Sequence, residues 1–208
     1  NIYNGYTCIT EIIPNTTEKK TVTLYRKYPL NNRIVNFARS MVYGYFEAAN
    51  KADFSDAREV YRIINIPESR LQNIKIQLDK PYRYVRYVRP RGTFSIAEFA
   101  LLDENGEHIN FKPIACNAIM EDKDMMKIFD SNPLSYYEVN GGVDLWIGAD
   151  MKKAKKIQFL QFAPRNDDSA ISPKDCYELF YWNDKWISLG QKVASDFCIQ
   201  FDNVPKDA

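Results

Sequence analysis

Short runs of alternating β-forming residues, each stopped within a few positions by Pro, Gly or Asn, constrain this chain more than any other feature. Thr21-Val22-Thr23-Leu24-Tyr25 and Ile74-Lys75-Ile76-Gln77-Leu78 alternate residue by residue. A period of two sends one set of side chains to a core and the other to water. Tyr82 to Val88 is rich in Tyr and Val and meets Pro90. Ser95 to Leu102 leads into Asn105-Gly106, a strong hairpin turn. Lys156 to Phe162 halts at Pro164, and Gly141-Gly142 after Asn140 reads as another turn. Tyr177 to Trp182 passes through Asn183-Asp184 into Lys185-Trp186-Ile187-Ser188-Leu189, a second hairpin. Strands this short and this regularly spaced predict an all-β sandwich or barrel. Helical character is confined to one short stretch, Glu121 to Phe129.

At 208 residues the chain can bury roughly 70% of its unfolded surface without staples. Fourteen Tyr, twelve Phe and three Trp supply the packing material. Twenty-eight basic side chains against 27 acidic ones give a net charge of +1, which argues against a nucleic-acid partner. No apolar run approaches the roughly 20 residues of a membrane helix, so no direct membrane insertion is expected. The charge is uneven along the chain. Residues 1–109 hold 16 basic and 12 acidic side chains, residues 110–208 hold 12 and 15, and Arg165 is the only arginine of the second half. That shift, beside the Asn105-Gly106 turn, predicts two closely packed domains, 1–108 and 109–208.

Cys8, Cys116, Cys176 and Cys198 form no CxxC pair and lie in apolar or strand-like surroundings. They read as buried free thiols, with a disulfide open as the alternative for an oxidising compartment. The single histidine, His108, falls at a hairpin end with no serine or cysteine motif beside it, which removes Ser-His and Cys-His mechanisms. Asp103, Glu104 and Glu107 surround the same turn, without the apolar pocket that raises a general acid. No phosphate loop or dinucleotide fingerprint is present. No catalytic residue is therefore expected. The chain begins at Asn1 without a charged, apolar leader, which reads as a mature or trimmed form. Asn15-Thr16-Thr17 matches a glycosylation sequon.

Three constellations carry chemistry. Asp130, Asn132 and Ser135, in Phe129-Asp130-Ser131-Asn132-Pro133-Leu134-Ser135, are short oxygen donors that suit a hard cation together with loop carbonyls. The same residues equally make an Asx turn. Arg165, Asn166 and Asp167 follow a strong strand at Pro164, and a guanidinium beside an amide and a carboxylate suits vicinal sugar hydroxyls. The alternative there is a surface loop with internal ion pairs. Arg83, Arg86, Arg89 and Arg91 interleave with tyrosines, but alternation sends Arg83 and Arg89 to one face and Arg86 to the other, so a Tyr-packed strand is expected.

Several stretches resemble the discoidin (coagulation factor 5/8 type C) superfamily of galactose-binding-like β-sandwiches, which includes the family 32 carbohydrate-binding modules. Trp146-Ile147-Gly148-Ala149-Asp150-Met151-Lys152-Lys153-Ala154-Lys155-Lys156-Ile157 is similar to the family's W-x-G-x-D-L-G-K-P-x-K-I strand and turn. Phe129 to Tyr137 is similar to its F-D-G-N-P-x-T loop, with Ser131 for the glycine and Ser135 for the threonine. Pro164-Arg165-Asn166-Asp167 and Tyr177 to Trp182 resemble its P-R loop and Y-E strand, and Tyr84-Val85-Arg86-Tyr87 with Ile96-Ala97-Glu98-Phe99 resemble the closing strands of a preceding copy. Tandem modules of this kind occur in large secreted or surface proteins of gut Bacteroidetes, beside glycosidase or transglutaminase-like regions. The resemblance implies two discoidin-like jelly rolls, the second short of its closing strands. It implies a non-catalytic region binding a glycan or polysaccharide, with extracellular, cell-surface or periplasmic placement and neighbouring domains as partners. Arg165, Asn166 and Asp167 would meet sugar hydroxyls, and Tyr136, Tyr137 or Trp182 would stack on a sugar face. Asp130, Asn132 and Ser135 would hold a structural calcium. The rival expectation is a structural spacer that carries a catalytic region.

Overall fold

The computed structural model describes residues 18–27, 32–167, 169–206 and 208, with the backbone of 2–3 and 6–7. In chain order the elements are β1 (Ile2–Tyr3), β2 (Tyr6–Thr7), β3 (Lys19–Leu24), helix α1 (Asn32–Arg39), β4 (Tyr45–Ala49), β5 (Arg58–Arg62), β6 (Gln72–Lys75), β7 (Tyr82–Arg91), β8 (Phe94–Ile96), β9 (Glu98–Leu102), β10 (Lys112–Ala115), helix α2 (Asn117–Met120), a 3-10 segment (Lys123–Phe129), β11 (Tyr137–Val139), β12 (Val143–Lys155), β13 (Phe159–Ala163), β14 (Cys176–Trp182), β15 (Trp186–Val193) and β16 (Ile199–Pro205). Strand makes up 48% of the described residues and helix 10%, so the fold is mostly β. No helix among the described residues is long and apolar enough to cross a membrane. Cys8 and the Asn15 sequon lie outside the described residues.

The chain divides into two compact units, but not at residue 108. One unit is Asn32–Asp167; the other joins Asn1–Asn31 to Asp168–Ala208. The expected boundary falls inside the larger unit because the strands on either side of it pair with one another. β7 pairs with β12, β8 with β11 and β9 with β13, all antiparallel. The charge shift along the sequence is thus internal compensation: Arg83 of β7 forms a bidentate pair with Asp150 of β12, at 2.8 and 3.0 Å.

In the larger unit a five-stranded sheet runs β10-β12-β7-β4-β5 and a three-stranded sheet runs β6-β13-β9. Their apolar faces meet. Phe46 on β4 lies 5.7 Å from Phe99 on β9 and 5.3 Å from Phe162 on β13, measured between ring centroids. Val85, Tyr87, Ile147, Ala149, Leu101 and Leu160 complete the same core. The run from Ser95 to Leu102 is one strand by sequence but two in space. β8 pairs with β11, Ala97 donates its amide to the Ala163 carbonyl at 2.9 Å, and β9 then joins β13. The outer face of the large sheet is also covered. Arg86 pairs with Glu47 and lies 4.0 Å from the Phe54 ring centroid and 5.0 Å from that of Trp146. Arg83, Arg86 and Arg89 of β7 are therefore internal partners, with Arg89 donating to the Val42 carbonyl, whereas Arg91 at the strand's end is exposed.

Helix α1 was not expected. Its signal is the spacing of Ile34, Ala38 and Met41, all buried, which puts one apolar stripe on the core. The smaller unit pairs β3 with β16 and β14 with β15, over Ile171, Ile199, Phe201, Val204, Leu179 and Leu189. Cys116, Cys176 and Cys198 are free, but none is buried as expected: Cys176 is exposed, and Cys116 and Cys198 are half-buried. His108 is exposed, bridged to Leu102 across the expected hairpin.

Candidate functional site

Strand alternation builds the Arg165 site. Tyr137 of β11 faces the core and is 4% exposed, so its neighbours Tyr136 and Glu138 face the other way. Glu138 sits opposite Ser95 of β8, whose hydroxyl donates to its carboxylate at 2.9 Å. β13 ends at Ala163, and Pro164 stops the ladder and starts the 164–167 loop. Arg165 lies on this loop with its guanidinium carbon 3.7 Å from the Tyr136 ring centroid and 4.0 Å from that of Phe37 on α1. Its Nε and Nη2 donate to Asp167 at 2.8 and 3.4 Å, and its Nη1 donates to Glu138 at 3.1 Å. The guanidinium is covered on its faces by rings and engaged on its edges by carboxylates, leaving the side chain 9% exposed. Burial works against its charge, but the bonds to Asp167 and Glu138 outweigh this and hold Arg165 above its ordinary pKa.

The structure therefore brings Arg165, Asp167 and Tyr136 together and places Asn166, also buried, beside them. It adds Glu138, Ser95 and Phe37, which the sequence reading missed. Phe37 carries a signal in the amphipathic stripe of α1, whereas Glu138 and Ser95 reach the site only through the pairing of β11 with β8. Of the three aromatic residues expected to stack on a sugar, Tyr136 is in contact with Arg165. Tyr137 is buried in the core, and Trp182 belongs to the smaller unit.

The cation loop also assembles. Asp130 accepts from the Asn132 amide at 2.9 Å, and Asn132 Oδ1 accepts from the Leu134 amide at 3.1 Å, so the Asx turn is formed. Ser135 Oγ lies 2.9 Å from both Asp130 carboxylate oxygens, 2.8 Å from the Asn132 carbonyl and 3.2 Å from the Lys127 carbonyl. One hydroxyl proton cannot serve four acceptors, so oxygen atoms are in surplus at this point. Glu98 of β9 adds to the surplus. It is 7% exposed, its Oε1 makes no hydrogen bond, and burial followed by the charge of Asp130 pushes its carboxyl up to about 8. Glu98 was readable in the sequence as the one charged residue inside an apolar strand. Oxygen surplus and an orphaned carboxylate oxygen fit a hard cation. Among the described residues no three His, Cys, Asp or Glu side chains come together, so carbonyl and hydroxyl oxygens would have to complete such a shell.

The glycine positions of the two resembling motifs behave alike. Ser131 has φ +58° and Lys152 has φ +66°, in the left-handed region that favours glycine. Comparison of the chain with family models, with curated proteins and with solved structures finds no match.

Proposed function

We propose that the larger unit is a single galactose-binding-like (discoidin) jelly roll, serving as a non-catalytic, glycan-binding accessory module of a secreted, surface or periplasmic protein. Eight strands in two facing antiparallel sheets, five against three, support the jelly-roll reading. So do the positive φ angles at Ser131 and Lys152, the positions where the family carries glycine. The glycan reading is carried by one observation: a planar cation, an aromatic ring, an amide and two carboxylates converge at Arg165. In this arrangement Arg165 is a brace. It holds Tyr136, Glu138 and Asp167 in fixed orientation, and these offer ring surface and charged acceptors to sugar hydroxyls. A calcium ion, which the resemblance implies, would be held by Asp130, Asn132, Ser135 and Glu98 with loop carbonyls. It would be structural, its charge offsetting two adjacent carboxylates.

A second reading is a spacer that carries a glycosidase or transglutaminase-like region, with neighbouring domains as its partners. The burial of Arg165 favours it, because a guanidinium engaged on faces and edges needs no ligand. Affinity electrophoresis in polysaccharide gels, with and without calcium, separates the two. Retardation lost in Tyr136→Ala and Arg165→Lys, with unchanged circular dichroism, supports the glycan module. Wild-type mobility unaffected by every polysaccharide supports the spacer.

A further inference from the structure

The β14–β15 hairpin of the smaller unit has two dressed faces. Tyr177, Leu179 and Leu189 pack on the local core. Alternation then turns Glu178, Phe180 and Trp182 outward on β14. Cross-strand pairs Phe180–Ser188 and Trp182–Trp186 put Ser188 and Trp186 on that same outward face of β15. Gln191 would point inward by simple alternation from Ser188, but the register shifts between Glu178 and Phe180, where Gly190 takes φ +91°. This bulge adds one residue and turns Gln191 outward, opposite Glu178. Ser188 Oγ and Gln191 Nε2 both donate to the Glu178 carboxylate, at 2.6 and 2.9 Å. Beyond them lie Phe180, 38% exposed, and the edge-to-face pair Trp182 and Trp186, 5.1 Å between centroids. Glu178 and Trp182 are four residues apart, about 13 Å along the strand.

We propose that this outward face is a contact platform for a neutral glycan, in which Phe180, Trp182 and Trp186 supply ring surface and Glu178 accepts hydrogen bonds from sugar hydroxyls. The proposal rests on the glycan-binding reading but concerns a different unit of the chain. Three observations select a sugar. Rings beside a fixed carboxylate match a ligand with C–H faces and O–H donors. The bonds from Gln191 and Ser188 hold the Glu178 carboxyl below its usual range, so it stays an ionised acceptor. The one lysine of β15, Lys192, is turned to the Gln200 carbonyl and the Phe201 ring, away from the Glu178 carboxylate. A second copy docking isologously would set one Glu178 face against another, which like charge disfavours.

The test is affinity electrophoresis of the full chain in gels containing neutral galactomannan or β-glucan, or anionic polygalacturonate. Glu178→Gln, Phe180→Ser and Trp182→Ala are compared with Tyr136→Ala, and circular dichroism checks the fold. We expect retardation by a neutral polysaccharide, weakened about tenfold by Glu178→Gln, the factor that one charge-assisted hydrogen bond carries. Phe180→Ser should weaken it too, so the outcome does not depend on Trp182→Ala folding. Retardation lost in Tyr136→Ala but kept in all three hairpin variants overturns this proposal and leaves the Arg165 reading standing. Retardation lost only in the hairpin variants supports this platform and removes the Arg165 site. Equal retardation by polygalacturonate overturns the neutral-glycan assignment, and no retardation in any gel overturns both readings.

Discussion

Replacing Ser131 or Lys152 with glycine should stabilise the larger unit. Both residues hold positive φ, +58° and +66°, and both are exposed. Neither side chain makes a hydrogen bond or ion pair among the described residues; the Lys152 amide, which donates to Asp150 at 2.7 Å, survives the change. A residue with a Cβ pays about 1–2 kcal/mol in this conformation. Glycine returns about 0.5–1 kcal/mol of that through the greater freedom of its unfolded chain. The net expectation is about 0.5–1 kcal/mol of added stability per site, or roughly 1–4 °C in a chain of this size. Trp146 is the tryptophan of the larger unit, and Trp182 and Trp186 belong to the smaller one. A Trp182→Phe/Trp186→Phe background therefore lets Trp146 fluorescence report the larger unit alone in urea and thermal melts. Lys152→Ala is the control, since it trims the side chain but keeps the Cβ penalty. The reasoning is refuted if Lys152→Gly melts no higher than Lys152→Ala. Phe54, with φ +57°, marks the contrast: its ring packs on Tyr84 and Trp146, so glycine there removes more than it relieves.

Glu98 gives a pH dependence. Folded, it keeps its proton up to about 8; unfolded, it ionises near its ordinary 4.5. The stability it contributes is full below about 4.5 and is lost as pH rises through about 8, at about 1.4 kcal/mol per pH unit of separation. Glu98→Gln should match wild type near pH 4 and exceed it at pH 9 in urea melts, and calcium should raise the wild-type midpoint but not that of the variant. Gly148→Ala should destabilise by about 2–3 kcal/mol, because its Cβ would lie 2.3 Å from the Val85 carbonyl oxygen and 2.8 Å from Arg86 Cα, both backbone atoms that cannot swing aside. A shift of the urea midpoint measures it.

The local rules were legible in the sequence. Alternation located β3, β-forming residues located β7, and the Asn105-Gly106 turn and the Asn183-Asp184 turn between β14 and β15 stand where turn chemistry put them. The oxygen-rich loop from Asp130 to Ser135 and the Arg165 loop were equally visible, because each is short and its chemistry is carried by neighbours in sequence. Glu98 was not among the expected site residues; a lone charge in an apolar strand was its signal, and its partner across the fold had none. The division into units was misread. A charge step along the chain looked like a domain boundary, but antiparallel pairing laid the basic strand β7 on β12 and turned the step into the Arg83–Asp150 pair.

What the sequence determined by itself was therefore the period of each strand, the position of each turn and the residues able to bear charge or stack. These are settled within a few residues by backbone sterics and side-chain size. Only the tertiary structure decided which strands became neighbours, because pairing joins segments far apart in the chain and is selected by burial of the whole core. That choice set Glu138 and Phe37 around Arg165, aimed Glu98 at Asp130, and converted an exposed-looking arginine into a buried brace.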